Sequence, residues 1–377
     1  MRHALFRLLA GLAVILACTR SAPAADEPAP SPSPAPSPVP RGLDLYFIDV
    51  QGGAATLIVT PEKESLLIDS GWPGLEDRDP KRIVHVLRDV AGCERLDHLV
   101  TTHWHIDHYG GVEGISRLVP IGRFWDRGLP EDNLPGVDFP DGPKPEDPLY
   151  LAYKKASEGK RKPLKAGDRL PLRGQVDALV LASGGKVVLE GERLGAQVND
   201  LCDDSIADLP ADHSDNARSL TLIFRLGAFD FLDCGDLTWN IEKKLVCDVD
   251  RIRFGQQRTV PDQAIDLYQV THHGMDISNH PTLLRTIQPT VAVMNNGPRK
   301  GGSPATVKRL KALPTLQALY ALHKNQATSP EDNADPAATA NADPAGGQFI
   351  HVHVEPDGSA FTVRIGEDGP PRTFTTR

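Results

Sequence analysis

The run Thr102-His103-Trp104-His105-Ile106-Asp107-His108 constrains this chain more than any other segment. Its ligand-type side chains follow directly on a short apolar stretch, 99–102, that reads as a strand. In an extended segment, residues two apart point the same way, so His103 and His105 can grip one ion. Asp107 and His108 fall at the turn into the next helix and can face a neighbouring ion. Gly110 and Gly111 remove side chains where that helix must come close to the site. Imidazole and carboxylate suit zinc, and also manganese or iron. A single histidine reads more simply as a surface residue. Three histidines and an aspartate packed together at a strand end point instead to a metal centre.

The chain ahead of this motif has a different character. Arg2, His3 and Arg7 are basic, residues 8–17 are apolar but short for a membrane span, and Ala22-Pro23-Ala24 offers small residues for cleavage. Residues 1–24 therefore read as a signal peptide for export to the periplasm or medium, with no membrane span left after its removal. Cys18, after Ile15-Leu16-Ala17, offers lipoprotein anchoring as the alternative. Residues 25–41 form a Pro-rich linker whose alternating Pro and Ser, Ala or Val favour extended polyproline II. The folded domain is expected over 42–377.

Within that domain, hairpins precede mixed strand and helix units, which predicts α/β layers. Strands are expected at 43–50, 54–60, 65–69, 176–181, 186–189, 219–226, 229–233, 264–270, 290–294, 349–354 and 360–365. Helices are expected at 80–90, 149–157, 239–246 and 304–313. Residues 128–148, rich in Pro, Asp and Gly, read as a long loop over one end of a sheet. Residues 325–347 read as a mobile loop. Cys202 and Cys247 both sit in loop-like sequence and could pair, with buried free thiols as the alternative. The formal charge of -9 gives no strong field for nucleic acid, so a polyanionic substrate would have to be drawn in by metal ions or a local patch.

His103-Trp-His105-Ile-Asp107-His108 matches the H-x-H-x-D-H motif and resembles the metallo-β-lactamase superfamily. Other matches are Asp49-Val50-Gln51-Gly52-Gly53, Leu67-Ile68-Asp69-Ser70-Gly71, the strand ending in Gly235-Asp236, and Thr271-His272-His273-Gly274. Asp215-Asn216-Ala217-Arg218-Ser219-Leu220 and the His-His-Gly together are similar to the metallo-β-lactamase domain of the competence protein ComEC and to exported stand-alone relatives of it. The resemblance implies a four-layer αββα sandwich and two metal ions, most simply zinc. It puts His103 and His105 on the first ion, Asp107, His108 and His272 on the second, and Asp236 between them. Asp107, Asp236 and His273 are the expected catalytic groups, His273 acting beside the ligands or on the substrate. Asp49 and Asp69 are candidates for orienting ligand histidines. Many relatives supply a third histidine to the first ion. Here that region reads His213-Ser-Asp-Asn216, so either His213 or Asn216 is the candidate. Asn295, Asn296, Lys300 and Ser303 are candidate pocket residues.

The chemistry so implied is hydrolysis. A water held between two such ions loses a proton near neutral pH and becomes the nucleophile. A phosphodiester is the expected substrate class by analogy with the competence branch. A lactam, lactone or thioester is the alternative. A non-catalytic metal-binding envelope protein and a di-iron redox protein are the readings from other classes. The retained Asp236 argues against the former, and the lack of a flavodoxin-like segment against the latter.

Overall fold

The computed structural model describes residues 41–190, 199–247, 250–253 and 265–377. The expected signal peptide, Cys18 and almost all of the linker lie outside these residues. The described part from Arg41 onward falls within one compact unit, Pro40–Arg377.

Six strands open the fold: β1 (Leu43–Phe47), β2 (Thr56–Val59), β3 (Ser65–Ile68), β4 (Leu96–Val100), β5 (Ile121–Asp126) and β6 (Arg161–Pro163). A second group follows: β7 (Asp177–Ser183), β8 (Lys186–Val187), β9 (Thr221–Leu226), β10 (Phe229–Asp233), β11 (Leu267–Gln269), β12 (Val291–Met294), β13 (Ala318–His323) and β14 (Thr339–Asn341). The chain then returns to the first group with β15 (Ile350–Val354), β16 (Ala360–Ile365) and β17 (Arg372–Thr375). The first sheet runs β17-β16-β15-β1-β2-β3-β4-β5-β6 and the second β14-β13-β12-β11-β10-β9-β7-β8.

Side-chain alternation explains the layering. In β1, Leu43, Leu45 and Phe47 point into a core shared with Leu222, Phe224 and Leu226 of β9, while Tyr46 faces the other way. That shared core lies between the sheets. On the outer face of the first sheet pack α1 (Arg78–His85), α2 (Ile106–Tyr109), α3 (Val112–Leu118) and α4 (Pro148–Ser157), through residues such as Ile83, Tyr109, Ile115 and Tyr153. On the outer face of the second pack α5 (Trp239–Val246), α6 (Pro281–Ile287) and α7 (Pro304–Lys311), through Leu245, Leu284 and Leu310. Three apolar interfaces therefore separate four layers, αββα. Each fully buried Leu or Phe contributes roughly 1.5–3 kcal/mol, so these layers form a firm base for whatever sits at their edge.

Several expectations shift. β4 ends at Val100, and residues 101–105 leave the strand before α2 begins. The two-residue alternation therefore does not carry through His103 and His105. β5 and β13, which the sequence reading did not single out, are parallel strands, each second from an edge of its sheet. Residues 325–347 hold β14 and are pinned by buried asparagines. Asn333 Nδ2 reaches the Ser329 carbonyl and Asn341 Nδ2 the Leu322 carbonyl. Residue 264, the expected start of one strand, lies outside the described residues. Cys202 and Cys247 are paired, whereas Cys93 and Cys234 are free and buried. Among the described residues, no helix is long and apolar enough to cross a membrane.

Candidate metal centre

Parallel pairing puts the ends of several strands side by side. β3 and β4 run parallel, as do β10, β11, β12 and β13. Their carboxyl ends deliver Asp69, the His103–His108 run, Asp236, His272, His273 and Asn295 to one edge of the sandwich. Ligand sites of layered α/β folds sit outside such strand ends.

Two close backbone approaches allow it. A Cβ at Gly111 would run into the Ser70 carbonyl oxygen, and one at Gly301 into the His273 carbonyl oxygen. His272 and His273 both adopt left-handed backbone angles, with φ of 55° and 54°. Consecutive residues so placed fan their rings apart, 67° between planes.

The structure brings Asp107, His108, Asp236 and His273 together, all buried. His108 Nε2 lies 3.3 Å from His273 Nε2, 3.4 Å from Asp107 Oδ2 and 3.2 Å from Asp236 Oδ2. His273 Nε2 lies 3.4 Å from Asp107 Oδ2 and 3.2 Å from Asp236 Oδ2. A tetrahedral zinc site with bonds of about 2.0–2.1 Å needs donors about 3.3–3.4 Å apart. These five separations are edges of such a tetrahedron, and the residues present fit a divalent cation.

Each ring is held from behind. His108 Nδ1 meets Asp69 Oδ2 at 2.7 Å, and His273 Nδ1 meets the Asn295 carbonyl at 3.0 Å. Ligating histidines are oriented by such partners at the other ring nitrogen. Asp49 does not serve a ligand histidine. It bonds His323 Nε2 at 2.8 Å and Arg82 at 2.7 Å.

The charges are poised for an ion. Burial disfavours a charge on His108, yet Asp236, Asp107 and Asp69 outweigh it and hold its pKa well above the usual histidine value. Burial also disfavours ionised Asp107 and Asp236, but neighbouring histidines keep both carboxyls well below the usual range. An entering cation would displace the His108 proton and keep the carboxylates neutralised.

The other expected ligands take different places. His272, expected with Asp107 and His108, stands outside that group, its Nε2 3.5 Å from Asp236 Oδ2 and 3.4 Å from Asn216 Nδ2. His103 Nε2 is buried without a hydrogen-bond partner, 3.9 Å from Asp236 Oδ2. His105 turns Nε2 outward to Asp141 Oδ2 at 3.1 Å. Asn216 borders the site, while His213 is exposed.

Lys300, a candidate pocket residue, bonds Asp107 Oδ2 through Nζ. Two further features of the site had no local sequence signal. Asp141, on the Pro-rich loop, joins His105 to the Asp215 backbone amide. Asp215 in turn receives the Trp104 amide at 2.7 Å and pairs with the buried Arg127. A charged residue fully buried beside the motif would have been the clue, but burial is not visible in the sequence.

Residues 48–189 match the family model of the metallo-β-lactamase superfamily. A stretch of 68 residues is 44% identical to an atrochrysone carboxyl ACP thioesterase of Aspergillus terreus, covering 18% of this chain and 20% of that protein. The chain thus spans 20% of the length of that curated relative. Among solved structures, it is similar to a CmlA beta-hydroxylase mutant, at 16% identity and a TM-score of 0.39, over 70% of this chain and 47% of that one. It is also similar to zinc-bound PqqB of Methylobacterium extorquens, at 10% identity and a TM-score of 0.37, over 68% and 89% of the two chains. For the metallo-β-lactamase SMB-1, in complex with mercaptoacetic acid, the figures are 13%, 0.32, 78% and 89%. The His103–His108 run lies inside the segment 48–189 that matches the metallo-β-lactamase superfamily model, and that segment is similar to the family.

Proposed function

We propose that the chain is a metal-dependent hydrolase whose reaction centre is built on Asp107, His108, Asp236 and His273. The observation that carries this reading is the near-tetrahedral spacing of their four buried donor atoms. Zinc is the proposed metal, with two ions per chain. Bound there, such ions supply an activated water and polarise the bond under attack.

The protein's own residues do the remaining work. Asp69 and the Asn295 carbonyl hold the His108 and His273 rings in place. A cleft of about 290 Å3 opens beside them, lined by Trp72, Trp104, Ile106, Tyr109 and Asp141, among others. Ile106 is 46% exposed at its rim. Lys300, 5.2 Å from the Trp72 ring centroid, adds a cation at the mouth of an otherwise acidic chain. That cation and the resemblance to the competence branch support a phosphodiester substrate. The thioesterase match supports an acyl thioester as the second reading.

The test is metal analysis coupled to a substrate panel. Zinc- or manganese-loaded protein is offered bis-p-nitrophenyl phosphate, an acyl thioester, a lactone and a lactam. Turnover of the diester, lost in Asp236→Ala with the fold intact, is expected. Turnover of the thioester alone selects the second reading. Fully loaded protein that hydrolyses none of them sinks the enzyme reading.

A further inference from the structure

A second cleft, of about 360 Å3, shares no lining residue with the one beside Asp107. Leu209, Pro210, Trp239 and Ile277 give it an apolar lining, joined by Thr238 and Asp212. Leu209 is 37% and Ile277 42% exposed, so two large apolar side chains face water in one concavity. Small-molecule sites are apolar clefts of about this size, roughly 300–1,000 Å3.

Three of its walls lead into the metal centre. Thr238 stands two residues beyond Asp236, a reach of at most about 7 Å along the chain. Ile277 precedes Ser278, whose hydroxyl lies 3.1 Å from His272 Nδ1. Asp212 stands four residues before Asn216, whose amide nitrogen lies 3.4 Å from His272 Nε2.

The walls are fixed in advance. Trp239 has the Arg309 guanidinium 5.1 Å from its ring centroid and His280 edge-on at 4.7 Å. Its indole N–H donates to the Ala207 carbonyl at 3.2 Å and its amide to the Ile277 carbonyl at 3.0 Å. Asn240 grips the Leu209 main chain twice, accepting from its amide at 3.0 Å and donating to its carbonyl at 2.8 Å. The disulfide from Cys202 to Cys247 ties the same segment to the end of α5. A cleft so ordered binds without the entropic cost of arranging its walls. Charge separates the two clefts. Asp212 places a carboxylate here, whereas Lys300 lies over Trp72 of the other.

We propose that the Trp239 cleft holds an uncharged hydrocarbon group of the substrate, acyl or alkyl, while the bond to be hydrolysed lies at the metal centre and the polar remainder extends toward Lys300. The inference rests on the metal-hydrolase reading and narrows its substrates to acyl thioesters or phosphodiesters that carry an apolar chain.

N-phenylnaphthylamine, a neutral apolar fluorophore, probes the cleft of the full chain without turnover. Wild type is expected to bind it. Ile277→Asp and Leu209→Asp, each at an exposed side chain, are expected to weaken binding at least about tenfold by placing a charge in the cleft. Metal-loaded protein is then given acetyl to hexanoyl thioesters of N-acetylcysteamine, and methyl to hexyl p-nitrophenyl phosphodiesters. In at least one series kcat/KM is expected to rise about threefold to fourfold per methylene, and less steeply in both variants. The series that rises identifies the source of the chain. No fluorophore binding, binding unchanged in both variants, or turnover independent of chain length overturns the inference and leaves the metal-hydrolase reading standing. Wild-type dimers that Ile277→Asp separates in sedimentation make the cleft a contact between copies and also overturn it. Fluorophore binding lost in the variants, with no substrate of either series turned over, keeps the cleft and overturns the hydrolase reading alone.

Discussion

The Asp69 carboxylate lies 2.7 Å from His108 Nδ1, with both side chains buried. The same oxygen accepts the Thr102 hydroxyl, so one carboxylate at the end of β3 holds His108 directly and His103 through Thr102. Loss of such an orienting partner costs about 10–100-fold in metal affinity. Asp69→Ala is expected to show that loss in a chelator competition while keeping its far-ultraviolet circular dichroism. Wild-type affinity would remove Asp69 from the support of the site.

Arg127 and Asp215 form an ion pair with both side chains fully buried. Asp215 also holds the Trp104 amide, so the pair braces the motif from behind. Removing one partner strands a buried charge and costs roughly 3–5 kcal/mol. Arg127→Ala is expected to lose that much in urea denaturation. A loss below about 1 kcal/mol would mean that the charge finds solvent or another partner.

Glu242, buried on α5, accepts the His280 amide at 2.8 Å. Burial pushes its carboxyl from 4.5 up to about 7. The folded value lies above the unfolded one. The stability gained by keeping the acid neutral is therefore complete below about pH 4.5 and is lost as pH rises through about 7. Glu242→Gln, which mimics the neutral form, should equal wild type near pH 4.5 and exceed it near pH 8 by a few kcal/mol, at roughly 1.4 kcal/mol per pH unit. Parallel stability curves across that range would refute the assignment.

The Cys202–Cys247 disulfide closes a loop of sequence separation 45. Chain entropy at that length allows up to about 4 kcal/mol of stabilisation. Reduction, or the paired change Cys202→Ser and Cys247→Ser, is expected to lower the melting temperature measurably. No change would place the constraint in the already compact unfolded chain.

Ligand chemistry and layer type are local properties, and the sequence determined both. The density of His103, His105, Asp107 and His108 after an apolar stretch marks a candidate metal centre, and the structure gathers Asp107 and His108 of that run with Asp236 and His273. The alternation in β1 and the hairpin of β9 and β10 announce two packed sheets. Gly235-Asp236 and His272-His273-Gly274 mark the later contributions to the site. What the tertiary structure alone decided is direction and partnership. β4 stops at Val100, so period-two alternation no longer governs His103 and His105, and only the packed turn shows where each ring points. Left-handed backbone at two successive residues puts His273 among Asp107, His108 and Asp236 and turns His272 toward Asn216. Asn216 borders the centre and His213 faces solvent because the turn Asp215–Arg218 is anchored by Arg127, 88 residues earlier in the chain. Such contacts arise when distant strand ends meet at one edge. No local spacing encodes them.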